Sequence, residues 1–569
     1  MESVSGTQPI RCDVVVIGAG ISGLIAAREI RTKCPHLNVK IVEAKNRVGG
    51  RTLTTTLKAA NGNDQWDLGG QWVGLTQTYI IELLRELAIE TCQQYDDGTK
   101  LIQAGCLDIR PYSALYPSAR DFKRYSIWEI IDFLLTYSKI ERLIQQIDVS
   151  DPYSHPEAIS WDRITFAEWI RHNCSTRATI DAYEIYSKVI YAADSKRFSL
   201  LYVLYLTKAA GNLSDVLDTK GNGAQAYRIT GGAQQISEKL VANFREDIFM
   251  EMAVTSIEMI ANERTIVYAH STAYGQQNKT TTFICSRVVM AIPPGQCGHI
   301  HFSPPLPYAK KQLFECAPQG NLIKCIITYK DAFWRNKGMA GQVLSTGAAT
   351  DNAKGAHPIL CTFDVTTPRG NPALAAFLHN GQWIDATQEE RRDIVIKDLC
   401  RFFGDEAANY LDYADKIWND ESYSGGCPTA IIPAGNMEAF THIREPFKLI
   451  HFAATEAATV WPGYMCGAVQ SGLRAANEVI WHCRPEAVNE EMLKDTIYDK
   501  DFESLTVPQP ETYGSAGKNQ WPRRIVFGAV LILGILAFSK KYKLSHMARL
   551  FRPLEKVYYE WHIGKKWPF

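Results

Sequence analysis

The feature that most limits what this chain can fold into lies within its first fifty residues. An apolar run, Val14-Val15-Val16-Ile17, leads straight into Gly18-Ala19-Gly20-Ile21-Ser22-Gly23. A GxGxxG alone is a weak signal. Here it follows a β-branched run suited to a strand buried on both faces, and it opens a helical stretch in which Leu24, Ile25 and Ile30 are apolar. A second strand is expected over Val39–Val42, and it ends at Glu43, twenty residues after Gly23. Strand, glycine turn, helix, strand and acid together make a dinucleotide fingerprint. Gly18 permits the tight turn, Gly20 lets a pyrophosphate approach the helix N-terminus, and Gly23 lets helix and strand pack closely. Glu43 is placed to accept from a ribose hydroxyl. The expected class is therefore α/β, with a parallel sheet.

Composition excludes several other classes. The 569 residues carry 61 Lys+Arg against 61 Asp+Glu, so no basic excess marks a nucleic-acid binder. Aromatics at 11% are too plentiful for a disordered polyampholyte. Fourteen cysteines are scattered with no CxxC pair, which argues against a zinc ribbon or a disulfide framework; no metal site is expected. No apolar signal segment precedes the first strand, so a cytosol-facing protein is expected.

Helix is expected over 121–147, over 165–210 with interruptions, and over 387–403, where Glu389 and Glu390 precede Lys397 and Arg401 in the polarity a helix dipole favours. Strands are expected over 265–274, 280–291 and 322–329. Residues 507–522, with Pro508, Pro510 and Pro522, have a linker's composition. Beyond them, 525–538 is fourteen residues without a charge, bracketed by Arg523-Arg524 and Lys540-Lys541. Such a helix is about 21 Å long, short of the roughly 30 Å hydrocarbon core. The basic pairs can snorkel, Trp521 suits an interface, and from Lys540 onward eight Lys/Arg against two Glu give +6. A C-terminal membrane anchor is the expectation.

The fingerprint does not separate NAD from FAD; a resemblance does. Arg47-Val48-Gly49-Gly50-Arg51-Thr52, Asp67-Leu68-Gly69-Gly70-Gln71-Trp72, Ser424-Gly425-Gly426-Cys427 and the stretch from Thr455 to Met465 resemble, in the same order, the flavin-containing monoamine oxidase family. The likeness covers about 11–480. It implies a discontinuous Rossmann-type FAD-binding domain from 1–88, 230–313 and 421–483, and an inserted sheet-plus-helix substrate domain from 89–229 and 314–420. A linker at 484–522, an anchor at 523–541 and a basic tail at 542–569 would follow.

Carried over by position, the resemblance assigns FAD contacts to Gly18, Gly20, Ile21, Ser22, Gly23, Glu43, Ala44, Gly50, Arg51, Gly69, Gly70, Gln71, Trp72, Val254, Trp418, Thr455, Glu456, Gly463, Tyr464 and Met465. Arg51 would support the phosphates, and Cys427 would form a thioether to the flavin 8α-methyl. Lys324 would hold a water at flavin N5, and Trp418 would pack beside the ring. Tyr464 would be one wall of an aromatic cage, with Gln225 and Pro428 also in the substrate cavity. Pro428 departs from the pattern, because the family has a second cage tyrosine there. Ala454 replaces a glycine, and Asp218 falls loosely where the family has an apolar gate, although a solvated loop aspartate is the preferred reading there.

The implied activity is FAD-dependent oxidation of primary, and by extension secondary, amines to aldehyde through an imine, with dioxygen as acceptor and ammonia and peroxide as products. Implied partners are the amine, dioxygen and a membrane, with no nucleic acid and with homodimerisation left open; the implied location is the cytosol face of the mitochondrial outer membrane. Two alternatives remain: a polyamine or amino-acid oxidase, and a membrane-tethered flavoprotein scaffold with little oxidase activity.

Overall fold

Five strands drawn from across the chain build one parallel sheet. Its order is Ile248–Phe249, Val39–Val42, Val14–Ile17, Arg287–Met290, Ile450–Phe452. The structure, a computed structural model, describes residues 8–104, 108–112, 125–260, 264–277, 279–347, 357–379, 381–496 and 498–499. They belong to a unit that ends at Val507. Val14, Val15 and Val16 are fully buried, as a β-branched run without polar alternation requires at the centre of a sheet. The expected βαβ unit is present, with its helix at Ile21–Lys33.

The helix Met465–Cys483 lies against Ile21–Lys33. A Cβ added at Gly472 would sit 2.5 Å from the Ser22 carbonyl oxygen, so the two backbones touch. Residues from the two ends of the fold thus share one packing surface.

A second sheet is a meander of Met252–Ile260, Arg264–Ser271 and Thr280–Cys285, flanked in parallel by Ile10–Arg11 and His301–Ser303. The largest sheet has seven strands, in the order Tyr410–Ile417, Leu322–Tyr329, Ala373–His379, Ile359–Asp364, Met339–Ser345, Thr99–Gln103, Arg110–Tyr112.

Two expectations change in detail, and one gains its detail. The strand read over 280–291 is two strands in different sheets, broken at Ser286. The N–H groups of Ser286 and Arg287 both donate to Asp13 O, which turns the chain from the meander into the parallel sheet. The helical stretch expected with interruptions at 165–210 is Phe166–Asn173, Arg177–Tyr191 and Leu200–Ala209, interrupted where Thr176 caps the second helix and Ala192, at φ +53°, ends it. The start of the segment read as a linker is packed: Asn477 Nδ2 donates to Met492 O at 2.8 Å, and Thr496 is buried. By contrast, Thr387 and Glu390 form a capping box at the head of Gln388–Phe403, in keeping with the expected polarity. The anchor and basic tail read at 523–569 lie outside the described residues. Among the described residues no helix is long and apolar enough to cross a membrane.

The contact at Gly472 gives a test. Alanine in a helix interior is favoured over glycine by about 1 kcal/mol, whereas overpacking costs about 1–3 kcal/mol. Against backbone 2.5 Å away the clash wins. Gly472→Val is expected to lower the free energy of chemical unfolding by about 2–3 kcal/mol; an unchanged midpoint would show that the helices can separate freely.

Candidate active site

Helix Ile21–Lys33 starts at Gly20 with no side chain capping it, so its first-turn N–H groups face a cavity of about 700 Å³. Gly18 has φ +100°, and a Cβ on Gly23 would lie 2.0 Å from the Gly18 oxygen; only glycine fits either position. A Cβ on Gly20 or Gly70 would meet no atom within 4 Å, since both face open cavity. Glu43 is buried, with Oε2 accepting from Ala19 N at 2.7 Å and Oε1 from Lys45 N at 2.9 Å. Burial raises its carboxyl above the usual value, while these two N–H donors oppose the shift.

Arg51 also lines the cavity, but its fork is engaged: Nη1 and Nη2 donate to Glu456 Oε1 and Oε2 at 2.6 and 3.0 Å, and Nη1 to Pro428 O at 2.8 Å. Burial alone would raise the Glu456 carboxyl; the Arg51 guanidinium overrides this and holds it below its ordinary value. The pair is a strut from the second glycine motif to the Cys427-Pro428 segment. Gly23 and Glu456 stand behind the cavity wall, and the other expected site residues line it.

At the far end, Lys324 comes from the fully buried strand Leu322–Tyr329. Its Nζ donates to Gly69 O at 2.8 Å and Gln71 Oε1 at 2.7 Å, and lies 5.2 and 5.4 Å from the Trp72 and Phe377 rings. Burial pushes its amine well down, with Asp67 the main opposing charge. Burial likewise pushes the Asp67 carboxyl up, and Lys324 opposes that most. Trp418 is fully buried, its Nε1 donating to Leu68 O at 2.9 Å.

Gly425 and Gly426, at φ +67° and +133°, carry the chain to Cys427 in a conformation other residues resist. A Cβ on Gly426 would lie 2.5 Å from Gly320 O, so the approach is also sterically closed. Burial pushes the Cys427 thiol up to about 12, against the opposing charges of Arg51 and Lys324. The Cys427–Pro428 peptide is cis. Tyr464 packs edge-on to Trp461 at 4.9 Å, and Thr455 Oγ1 fixes its backbone by donating to Tyr464 O at 2.7 Å. Val254, Gln225 and Met465 complete expected parts of the wall. Asp218 accepts from Ser214 Oγ at 2.6 Å, and Val216 lines the cavity instead.

Several lining residues carried no motif. Phe363 and Phe377 pack on Trp72 at 4.9 and 5.8 Å, and Phe377 is the direct cross-strand partner of Lys324. Tyr191 and Thr207 also line the cavity, each within 3.1 Å of the Tyr186 hydroxyl. Period-2 alternation could have placed Phe377 on a face, but only pairing register sets it beside Lys324.

The glycines facing open space and the uncapped helix N-terminus fit a dinucleotide cofactor lying along one cavity. The flavin containing amine oxidoreductase family matches residues 21–480. The probable flavin-containing monoamine oxidase A of Dictyostelium discoideum is 32% identical over 474 residues, covering 82% of this chain and 97% of that protein. The flavin-containing amine oxidase B of Cavia porcellus is 33% identical over 516 residues, covering 88% and 91%. Among solved structures, putrescine oxidase bound to putrescine superposes with TM-score 0.72 at 26% identity, covering 83% of this chain and 99% of the other. Cyclohexylamine oxidase from Brevibacterium oxydans does so with 0.73 at 25%, covering 83% and 99%. The chain belongs to the flavin-containing amine oxidoreductase family. It is an FAD-dependent oxidoreductase acting on amines.

The Arg51–Glu456 strut predicts a pH-dependent defect. Removing one partner of a buried pair costs about 3–5 kcal/mol; because the Arg51 side chain keeps 21% exposure, the low end is expected. A carboxylate with a depressed folded pKa stabilises fully above its unfolded value, near 4.3, and loses that contribution as pH falls toward the folded value. Glu456→Gln should therefore unfold about 3 kcal/mol more easily at pH 7, with a gap to the wild type that narrows below about pH 4. A gap constant with pH would mean the pair is not ionic.

Proposed function

We propose that this enzyme is a monoamine oxidase: RCH₂NH₂ + O₂ + H₂O → RCHO + NH₃ + H₂O₂. Bound FAD would supply the two-electron chemistry, taking a hydride equivalent from the carbon next to nitrogen and returning the electrons to dioxygen. The observation that carries the substrate class is the lining around Lys324 and Tyr464. Val189, Ile190, Tyr191, Leu206, Phe363 and Phe377 are apolar or aromatic, and among the described lining residues the only carboxylate is Glu43, at the nucleotide end. A diamine needs a second anionic partner and an amino acid needs an arginine; Arg51 is taken by Glu456. An apolar pocket also favours the neutral amine, whose nitrogen lone pair must be free for oxidation. Tyr464 orients the substrate by its ring face. The likeness to putrescine oxidase favours a diamine as the second reading.

Peroxide release from phenylethylamine, cyclohexylamine and putrescine separates the readings; putrescine as the best substrate would sink the monoamine assignment. Pro428 lines the cavity without an aromatic ring. Pro428→Tyr should raise kcat/KM for phenylethylamine by about two- to thirty-fold, from a contact worth roughly 0.5–2 kcal/mol, and change the aliphatic amine little. An unchanged ratio would place residue 428 away from the substrate.

The thioether between Cys427 and the flavin belongs to the same proposal, supported by the thiol's place in the cavity wall and the glycines before it. Acid-precipitated protein should stay yellow, and Cys427→Ala should release its flavin on that treatment. Colour lost from the wild type would leave the cofactor bound without a bond. The uncharged stretch at 525–538 between basic pairs supports extending the proposal to membrane attachment.

A further inference from the structure

Gln71 is 4% exposed, yet its Nε2 has no hydrogen-bond partner in the protein. A buried amide N–H without an acceptor costs about 1–3 kcal/mol, so its persistence needs a reason. The orientation of this amide follows from its neighbour. Lys324 Nζ donates to Gly69 O and to the Gln71 oxygen, so Oε1 faces the amine and Nε2 is the free end. Both side chains line the cavity. Gly69 O and Gln71 Oε1 both accept from Nζ, and Gln71 Nε2 is left as a free donor in the cavity wall, open to a water oxygen.

We propose that Gln71 is the positioning residue for Lys324, fixing Nζ through Oε1 and offering Nε2 as the second point that holds one water in the cavity. This rests on the amine oxidase reading of the site. Gln71 also sets how readily Lys324 takes a proton. A neutral oxygen acceptor favours the charged amine modestly, a carboxylate strongly, and an alkyl group not at all. The other groups acting on Nζ are Asp67, Cys427 and Cys361, which favour its charge, and Arg228, which opposes it; burial outweighs them.

The test is the pH dependence of the visible flavin spectrum in the oxidised holoprotein, which needs no turnover. The wild type should show a spectral titration that Lys324→Met abolishes. Gln71→Glu should move its midpoint up, and Gln71→Leu down, each by at least about one pH unit, a tenfold change in proton affinity. A purely structural role for Gln71 would not move the midpoint in opposite directions. A wild-type spectrum flat with pH, a titration that survives Lys324→Met, or a midpoint unmoved by both Gln71 variants would each overturn the proposal. Loss of flavin from the near-isosteric Gln71→Glu would make Gln71 a cofactor anchor and overturn it as well. Peroxide assays with the three amines on the same wild-type protein keep the two readings apart. No amine oxidised but midpoints ordered as expected would remove the oxidase reading and leave Gln71's role standing, whereas amines oxidised with unmoved midpoints would do the reverse.

Discussion

Backbone touching backbone is the constraint on which the rest of this structure depends. The Gly18 oxygen fills the space a Gly23 side chain would need, and the Ser22 oxygen does the same at Gly472. These approaches let helix Ile21–Lys33 sit tight on its own turn and let Met465–Cys483 sit tight on that helix. Neither helix has a side-chain cap at its start, and Ile21 and Met465, their first residues, both line the same cavity. The parallel sheet can then be closed by Ile450–Phe452 alone at one edge, a strand of only three residues. A methyl group at Gly472 would press on a surface that joins the first and last parts of the nucleotide fold.

The cavity that results is mostly apolar and still holds charge, which costs several kcal/mol per ion unless it is compensated. Each group finds a different remedy. Glu43 takes two backbone N–H donors, Arg51 and Glu456 take each other, and Lys324 takes two oxygens and two aromatic faces. Lys324 and Asp67 relieve each other through space, and burial still works against the ionised form of both. The Lys324 end of the site therefore disfavours ionised groups, while the fixed ionic pair ties the second glycine motif to the Cys427-Pro428 segment. That division suits an amine that must shed its proton before oxidation.

What could be read from residues alone was local. The βαβ unit, the strand Leu322–Tyr329 and the cap at Thr387 follow from a few adjacent side chains whose preferences agree. The glycine fingerprint and Glu43 were legible because they sit on such a local element, whereas Lys324, Trp418, Cys427 and Tyr464 were singled out only by the family resemblance. The rest depends on pairing across hundreds of residues. Arg51 and Glu456 are 405 apart, Lys324 and Gln71 are 253 apart, and Phe377 meets Lys324 only through register. Ser286 shows the same limit on a smaller scale. The run around it is uniformly strand-like, and it is Asp13, far away in sequence, that divides it between two sheets.

Pro428 brings no aromatic ring to its part of the cavity wall, but other residues do. Trp72, Phe363 and Phe377 cluster around Lys324, and Tyr191 enters from the helix Arg177–Tyr191. The backbones of Tyr191 and Cys427 meet at Gly320, where a Cβ would lie 2.5 and 2.6 Å from their two carbonyl oxygens. Tyr191 is therefore anchored to the segment that carries Pro428, and its hydroxyl is tied to Tyr186 at 3.1 Å. A wall held this way has little freedom to move into the space a larger residue at 428 would fill. Pro428 thus stands on a wall whose neighbours are fixed in place, while Lys324 is held by its own two oxygen acceptors.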